Sequence, residues 1–143
     1  MKMIMRRFPA LLFATIVLIF GVAGKCSKGG GGGTPTPAEA NLVVTLNPPV
    51  GSNQAAALGP DFPLSVTITS AMPPQGVTIE VTAKVENATT NFYAPAVLST
   101  SATVSNFTIT NTPVASTCVV TVTVTSKTKA TNKWTGSYRY SRK

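Results

Sequence analysis

Histidine is absent from these 143 residues, and acidic residues are scarce, with four Asp and Glu against twelve Lys and Arg. Without an imidazole, the chain lacks the side chain whose ordinary pKa suits proton transfer near neutral pH. The four acids are separated in the sequence: Glu39, Asp61, Glu80 and Glu86. Glu80 and Glu86 fall on one predicted strand, about 20 Å apart, which exceeds the carboxylate spacing of glycosidases. We therefore expect no enzymatic activity, since a hydrolase would need a general base beside convergent polar groups.

Cysteine occurs only twice, as Cys26 and Cys118. With no histidine and no cluster of acids, the chain lacks the usual ligand sets for zinc and calcium, and we expect no metal and no cofactor. Cys118 alternates in step with Val120, Val122 and Val124, which predicts a buried apolar side chain in a strand. A Cys26–Cys118 disulfide is the alternative, and it requires Cys26 to be unmodified.

What the sequence does have is an export signal over residues 1–25. A basic start at residues 1–7 is followed by residues 8–24, which carry no charge. A basic start, an apolar middle and small residues before a break are typical of a secretory signal peptide. The residues at the break are Val22, Ala23, Gly24, Lys25 and Cys26.

This N-terminus resembles that of bacterial lipoproteins, in which the cysteine after the signal is acylated and becomes the first residue. The resemblance implies lipidation of Cys26 and a lipid anchor in the cell outer membrane, facing either the periplasm or the outside. Lys25 stands where the family has a small residue, and two alternatives remain open. Cleavage after Ala23 or Gly24 would give a soluble periplasmic or secreted protein. An uncleaved apolar segment would be about 25 Å long as a helix, short of the ~30 Å hydrocarbon core.

Residues 26–40 are predicted to form a disordered tether ahead of one domain over residues 41–143. The tether holds glycine at every position from 29 to 33, followed by Thr-Pro-Thr-Pro. This composition cannot bury enough apolar surface to fold, and a coil of this length reaches on the order of 20 Å. Without the basic residues of the signal, the formal net charge falls from +8 to +4.

The domain shows the period-two alternation of β-strands, with apolar side chains on one face and hydroxyls or charges on the other. Strong alternation predicts strands over residues 42–46, 64–69, 77–86 and 118–125. Weaker patterns predict strands over residues 91–98, 103–110 and 133–141, with Phe107 and Ile109 facing inward. Phe92 and Tyr93 are adjacent, so they are expected to face opposite ways in an extended segment. About seven short strands separated by Pro, Gly and Asn turns indicate an all-β protein with an antiparallel Ig-like β-sandwich.

Residues 41–143 thus resemble the Ig-like or fibronectin-type-III-like domains of bacterial, Bacteroidota-type, surface lipoproteins. The chain departs from antibody domains in three features. The domain has one cysteine, so it cannot form the inter-sheet disulfide. Trp134 belongs to the last strand, and Ser116 stands where a tyrosine corner needs its tyrosine. A plain bacterial Ig-like sandwich therefore matches the pattern better than an antibody-type domain.

The last predicted strand contains the candidate ligand-binding residues. Trp134, Tyr138 and Tyr140 share one parity, and Lys133 and Arg139 share the other. The aromatic residues either close the core at the end of the sandwich or form an exposed row suited to stacking on sugars or to a partner protein. Only a structure can separate these two interpretations.

The last seventeen residues contain most of the basic side chains of the domain: Lys127, Lys129, Lys133, Arg139, Arg142 and Lys143. They form either a solvated hairpin and tail or a patch for anionic glycan, lipid head groups or nucleic acid. No nucleic-acid motif accompanies them, and we expect no nucleic-acid partner. The sequence predicts a non-catalytic lipoprotein that serves binding or adhesion, with an envelope protein or glycan as ligand. The alternative is a structural or assembly subunit that pairs through a sheet edge.

Overall fold

Seven strands form within residues 38–143, the part of the chain that the computed structural model describes. They are β1 (Val44–Asn47), β2 (Phe62–Ile68), β3 (Val77–Val85), β4 (Asn91–Thr100), β5 (Val104–Ile109), β6 (Ser116–Ser126) and β7 (Lys133–Arg142). The predicted signal peptide and Cys26 lie outside the described residues. Residues 38–143 contain no helix that could cross a membrane.

The strands form two antiparallel sheets, one of order β1-β2-β5 and one of order β4-β3-β6-β7. The predicted all-β, antiparallel Ig-like β-sandwich is thereby confirmed. In the constant-type Ig arrangement the fourth strand extends the sheet of the first, second and fifth strands. Here β4 pairs with β3 instead, so the sheet that contains β7 has four strands.

The inner faces of the two sheets enclose one core of small and branched apolar side chains. Val66 and Ile109 come from the first sheet, and Val81 and Val122 from the second, and none of them is exposed. Cys118 is a free thiol buried among them, as its parity predicted. Within the described residues the buried core runs from Leu42 to Tyr140, and residues 37–143 form one compact unit.

One expectation about β4 was wrong. Phe92 and Tyr93 do not face opposite ways, since both are partly buried and packed against the core. The register between β3 and β4 shifts at this point: Ala83 pairs with Tyr93 and the next residue, Lys84, pairs with Asn91. A β-bulge of this kind leaves Phe92 unpaired and turns it toward the core side.

The connection from β1 to β2 covers the outer edge of β7. The Gly51 and Gln54 amides donate to the Ser137 and Arg139 carbonyls at 2.8 and 2.9 Å, and the Arg139 amide donates to the Ser52 carbonyl at 2.9 Å. This segment runs parallel to β7 and ends in a bridge between Ala57 and Arg142. The edge of the last strand is therefore not free to accept another strand.

Because the strands alternate in direction, the sandwich has two distinct ends. At the entry end, the chain comes in through residues 38–43, beside the connections over residues 69–76, 101–103 and 127–132. At the opposite end lie residues 57–61, 110–115 and the C-terminal Arg142 and Lys143, which we call the distal tip. The two ends differ in the side chains that they present.

Candidate functional site

The candidate residues of β7 are divided between the core and the surface. Tyr138 and Tyr140 are only 2% and 1% exposed, so they close the core and cannot stack on a ligand. Trp134 is partly buried, with its ring over Gly136, where a Cβ would collide with the indole. Lys133 and Arg139 are exposed on the opposite side of the strand. The structure therefore does not bring the five residues together as one surface, and an exposed aromatic row is not present on β7.

Tyr140 fastens the distal tip to the core. Its hydroxyl lies 2.8 Å from Oγ1 of Thr112, which is itself buried. Its ring packs against Phe62 at a centroid distance of 4.2 Å. The Arg142 guanidinium donates to the Thr112 carbonyl from the same strand. Two residues of β7 thus hold the connection between β5 and β6 in place.

Burial raises the pKa of both tyrosine hydroxyls above the ordinary value of a phenol. Burial raises the pKa of Tyr140 to about 12. Burial also raises the pKa of Tyr138 far above its usual range, and the neighbouring Tyr140 adds to that rise. The Tyr138 hydroxyl has no hydrogen-bond partner among residues 38–143. Its contribution to the fold therefore comes from the ring alone.

Arg139 forms an ion pair across the outer face of the four-stranded sheet. Its Nε lies 2.7 Å from Oε1 of Glu86, and both side chains are about half exposed. An exposed pair of this kind contributes little to stability, at most about 1 kcal/mol. The pair does reduce the positive charge that Arg139 offers to a ligand. Lys133 lies at the other end of the same strand, the entry end, so it does not add to that charge.

The distal tip carries the most exposed apolar side chains of residues 38–143. Leu58 is 83% exposed and Val114 is 64% exposed. Their loops are connected, since the Thr112 amide donates to the Pro60 carbonyl at 3.4 Å and the Lys143 amide donates to the Ala57 carbonyl at 3.0 Å. Loops on a rigid scaffold often carry binding residues, and exposed apolar side chains there can be buried by a partner protein.

The backbone of the tip is held in a sparsely populated conformation. Asn111 and Ala115 have φ angles of 59° and 53°, and they are the non-glycine residues with positive φ in the described part of the chain. Asparagine tolerates this region, but alanine rarely adopts it. The Ser116 hydroxyl donates to the Pro113 carbonyl at 2.7 Å and closes the same loop. Strain of this kind concentrates at functional loops, which supports a binding role for the tip.

A second surface feature is a shallow depression of about 290 Å³ on the outer face of the three-stranded sheet. Asn47, Ser65 and Asn106 lie in register across its three strands. Carboxamides and a hydroxyl in a row can exchange hydrogen bonds with a polar ligand such as a sugar. Phe107 is packed against the core, so the depression offers no exposed aromatic ring for stacking.

Groups of three or more His, Cys, Asp or Glu side chains that could hold a metal ion do not occur within residues 38–143. Glu80 lies on the outer face of β3, and Glu86 is paired with Arg139. The only cysteine thiol in this region, Cys118, is buried.

The distal tip could not be predicted from the alternation of the sequence, because its apolar residues are isolated within turn segments. Leu58 stands before Gly59-Pro60, and Val114 follows Thr112-Pro113. A large apolar residue beside a Pro or Gly turn, outside any alternating segment, was the available signal.

Comparison with known proteins found no protein-family model that matches the chain and no curated protein that matches it.

Proposed function

We propose that this chain is a non-catalytic lipoprotein of the cell envelope, acylated at Cys26, whose Ig-like domain binds a partner protein through the distal tip. The export signal, the cysteine that follows it and the glycine-rich tether support an anchored protein. The sandwich supports a binding module, since loops at one end of such a fold are a common place for ligand contacts.

The observation that carries the proposal is the exposure of Leu58 and Val114 on two connected loops. An apolar side chain that is 83% exposed gains nothing from folding the monomer, but it gains on burial against a partner. Lys143 beside these residues adds positive charge, which favours a partner with an acidic rim. The polar depression offers hydrogen bonds without an aromatic platform, and for this reason we assign the ligand site to the tip.

Site-specific photo-crosslinking in the native host tests this assignment. A photoreactive residue at position 58 or 114 is expected to give the same covalent adduct, because both positions lie on one surface. The matched control is position 97 on β4, where Val97 is 62% exposed but lies away from the tip. We expect Leu58→Asp to weaken partner binding about tenfold or more, and Val97→Asp to leave it unchanged. Equal adducts at all three positions, or none at the tip, would contradict the proposal.

An assembly subunit that pairs through a sheet edge is the second candidate. It is supported by the outer edge of β5, which has no neighbouring strand among residues 38–143 and presents Val104 half exposed. The edge of β7 is covered, and the edge strand β4 contains Pro95, a residue that commonly protects edge strands. Size-exclusion of the membrane-extracted protein tests this role: a stable heteromeric complex supports it, and a lone monomer contradicts it.

A further inference from the structure

The point at which the chain enters the sandwich is fixed by one side chain. The Asn132 carboxamide donates to the Glu39 carboxylate and, at 2.8 Å, to the Ala40 carbonyl. Its Oδ1 accepts from the Leu42 amide at 2.9 Å. Asn132 is buried in the connection between β6 and β7. Whatever precedes residue 38 is therefore attached to the sandwich directly beside this connection.

The same connection carries lysines on a rigid frame. Lys127 and Lys129 lie within it, Lys133 begins β7, and all three side chains are exposed. The Lys127 amide donates to the Gly76 carbonyl at 3.0 Å, which joins this connection to the one between β2 and β3. The Ser126 hydroxyl accepts from the Thr128 and Lys129 amides, each at 3.1 Å. The lysines are thus displayed from a fixed turn and not from a loose tail.

The entry end carries little negative charge to oppose these lysines. Glu39 is the one acid in the segments that form this end, and Asn132 engages its carboxylate. Asp61 and Glu86 belong to connections at the other end. Glu80 is level with Thr135 across the sheet, so it lies two strands and two residue positions from Lys133. The entry end therefore carries three lysines against one acid, which leaves a net positive charge where the tether attaches.

We infer that the entry end is a docking surface for an anionic phospholipid bilayer, the membrane to which the tether is anchored. The inference rests on the proposed anchor, because a tether with a reach on the order of 20 Å keeps this end near the lipid. Lysines near an anionic surface each raise the partition coefficient about fivefold, which gives on the order of 100-fold for three. Docking in this orientation directs Leu58 and Val114 away from the membrane.

Sedimentation with lipid vesicles tests the inference on residues 38–143, which contain all seven strands of the sandwich. The vesicles are phosphatidylcholine alone, or phosphatidylcholine and phosphatidylglycerol in equal parts. We expect binding to the anionic vesicles only, with a loss on the order of 100-fold for the variant Lys127→Gln/Lys129→Gln/Lys133→Gln. The control variant Lys84→Gln/Arg139→Gln/Lys143→Gln removes the same charge elsewhere and is expected to bind nearly as well as the parent.

Three outcomes would overturn the docking surface: no preference for the anionic vesicles, an unchanged affinity of the entry-end variant, or equal losses in both variants. Equal losses would show attraction by net charge without a particular surface. All three substituted lysines are exposed, and matching thermal unfolding of the variants checks that the fold is kept. The fragment of residues 38–143 lacks Cys26, so a failure of vesicle binding does not bear on the proposed anchor. A mature protein without acyl groups would in turn not change the vesicle result.

Discussion

Two tyrosines of the same strand make different contributions to the fold. Tyr138 and Tyr140 are both buried, but among residues 38–143 only the Tyr140 hydroxyl has a hydrogen-bond partner, the Thr112 hydroxyl. A buried polar group without a partner costs stability, and removal of one member of a buried pair leaves the other unsatisfied. The alternation of β7 predicts that the two rings share a face, but it contains no information about these partners.

We therefore predict opposite effects for two conservative substitutions. Tyr138→Phe removes a hydroxyl that forms no hydrogen bond within residues 38–143, and the free energy of unfolding is expected to stay the same or rise. Tyr140→Phe leaves Thr112 Oγ1 unpaired and is expected to lower it by about 1–3 kcal/mol. Urea unfolding of residues 38–143 measures both values. A larger loss for Tyr138→Phe than for Tyr140→Phe would show that the hydroxyl environments have been misassigned.

At the scale of strands and turns, Gly76 and Gly51 allow backbone strain to be separated from steric collision. Both have positive φ, at 77° and 75°, in the turns that precede β3 and follow β1. A Cβ on Gly76 would lie 2.5 Å from the Thr100 carbonyl oxygen, whereas a Cβ on Gly51 would have nothing within 4 Å. Glycine at position 76 is thus required for two reasons: its positive φ angle, and the closeness of Thr100 at the end of β4.

Gly51→Ala is expected to lower the free energy of unfolding by about 1–2 kcal/mol, the cost of a left-handed alanine. Gly76→Ala is expected to cost at least about 1 kcal/mol more, because the backbone of Thr100 must also move. Thermal unfolding of the two variants beside the parent gives the comparison. Equal losses would mean that the end of β4 gives way without cost.

Most of the strands could be predicted from the sequence because they alternate with period two. Each of the seven predicted segments overlaps a strand, including β5, where Phe107 and Ile109 face inward as expected. The cover over the edge of β7 could not be predicted. It consists of main-chain hydrogen bonds from residues 51–57, which leave no pattern of side chains in the sequence. The bulge beside Phe92 could not be predicted either, because an inserted residue breaks the alternation on which the prediction depends.

The candidate site was predicted less well than the fold. Parity placed Trp134, Tyr138 and Tyr140 together but could not tell whether their face was covered, because that depends on Phe62 from a distant strand. The basic side chains formed one group in the sequence, yet the strand directions send Lys127 and Lys143 to opposite ends. Basic residues that are close in the sequence therefore lie on separate surfaces, whereas two loops that are distant in the sequence form the distal tip.

At the scale of the whole molecule, the entry end is the more lysine-rich end of the sandwich, and the distal tip displays its most exposed large apolar side chains. The entry end displays Lys127, Lys129 and Lys133 beside the attachment of the tether, and the distal tip displays Leu58 and Val114. This polarity matches a domain held with its basic end toward a membrane and its apolar end toward a partner. The arrangement has this meaning only if the chain is anchored through its N-terminal residues.

The intact mass of the mature protein, extracted from the membranes of its host, decides whether that anchor exists. We predict a chain that begins at Cys26 and carries acyl groups on that residue. A mature chain that begins at Gly24 or Lys25, with no acyl mass, would contradict the anchor and leave a soluble exported domain in its place.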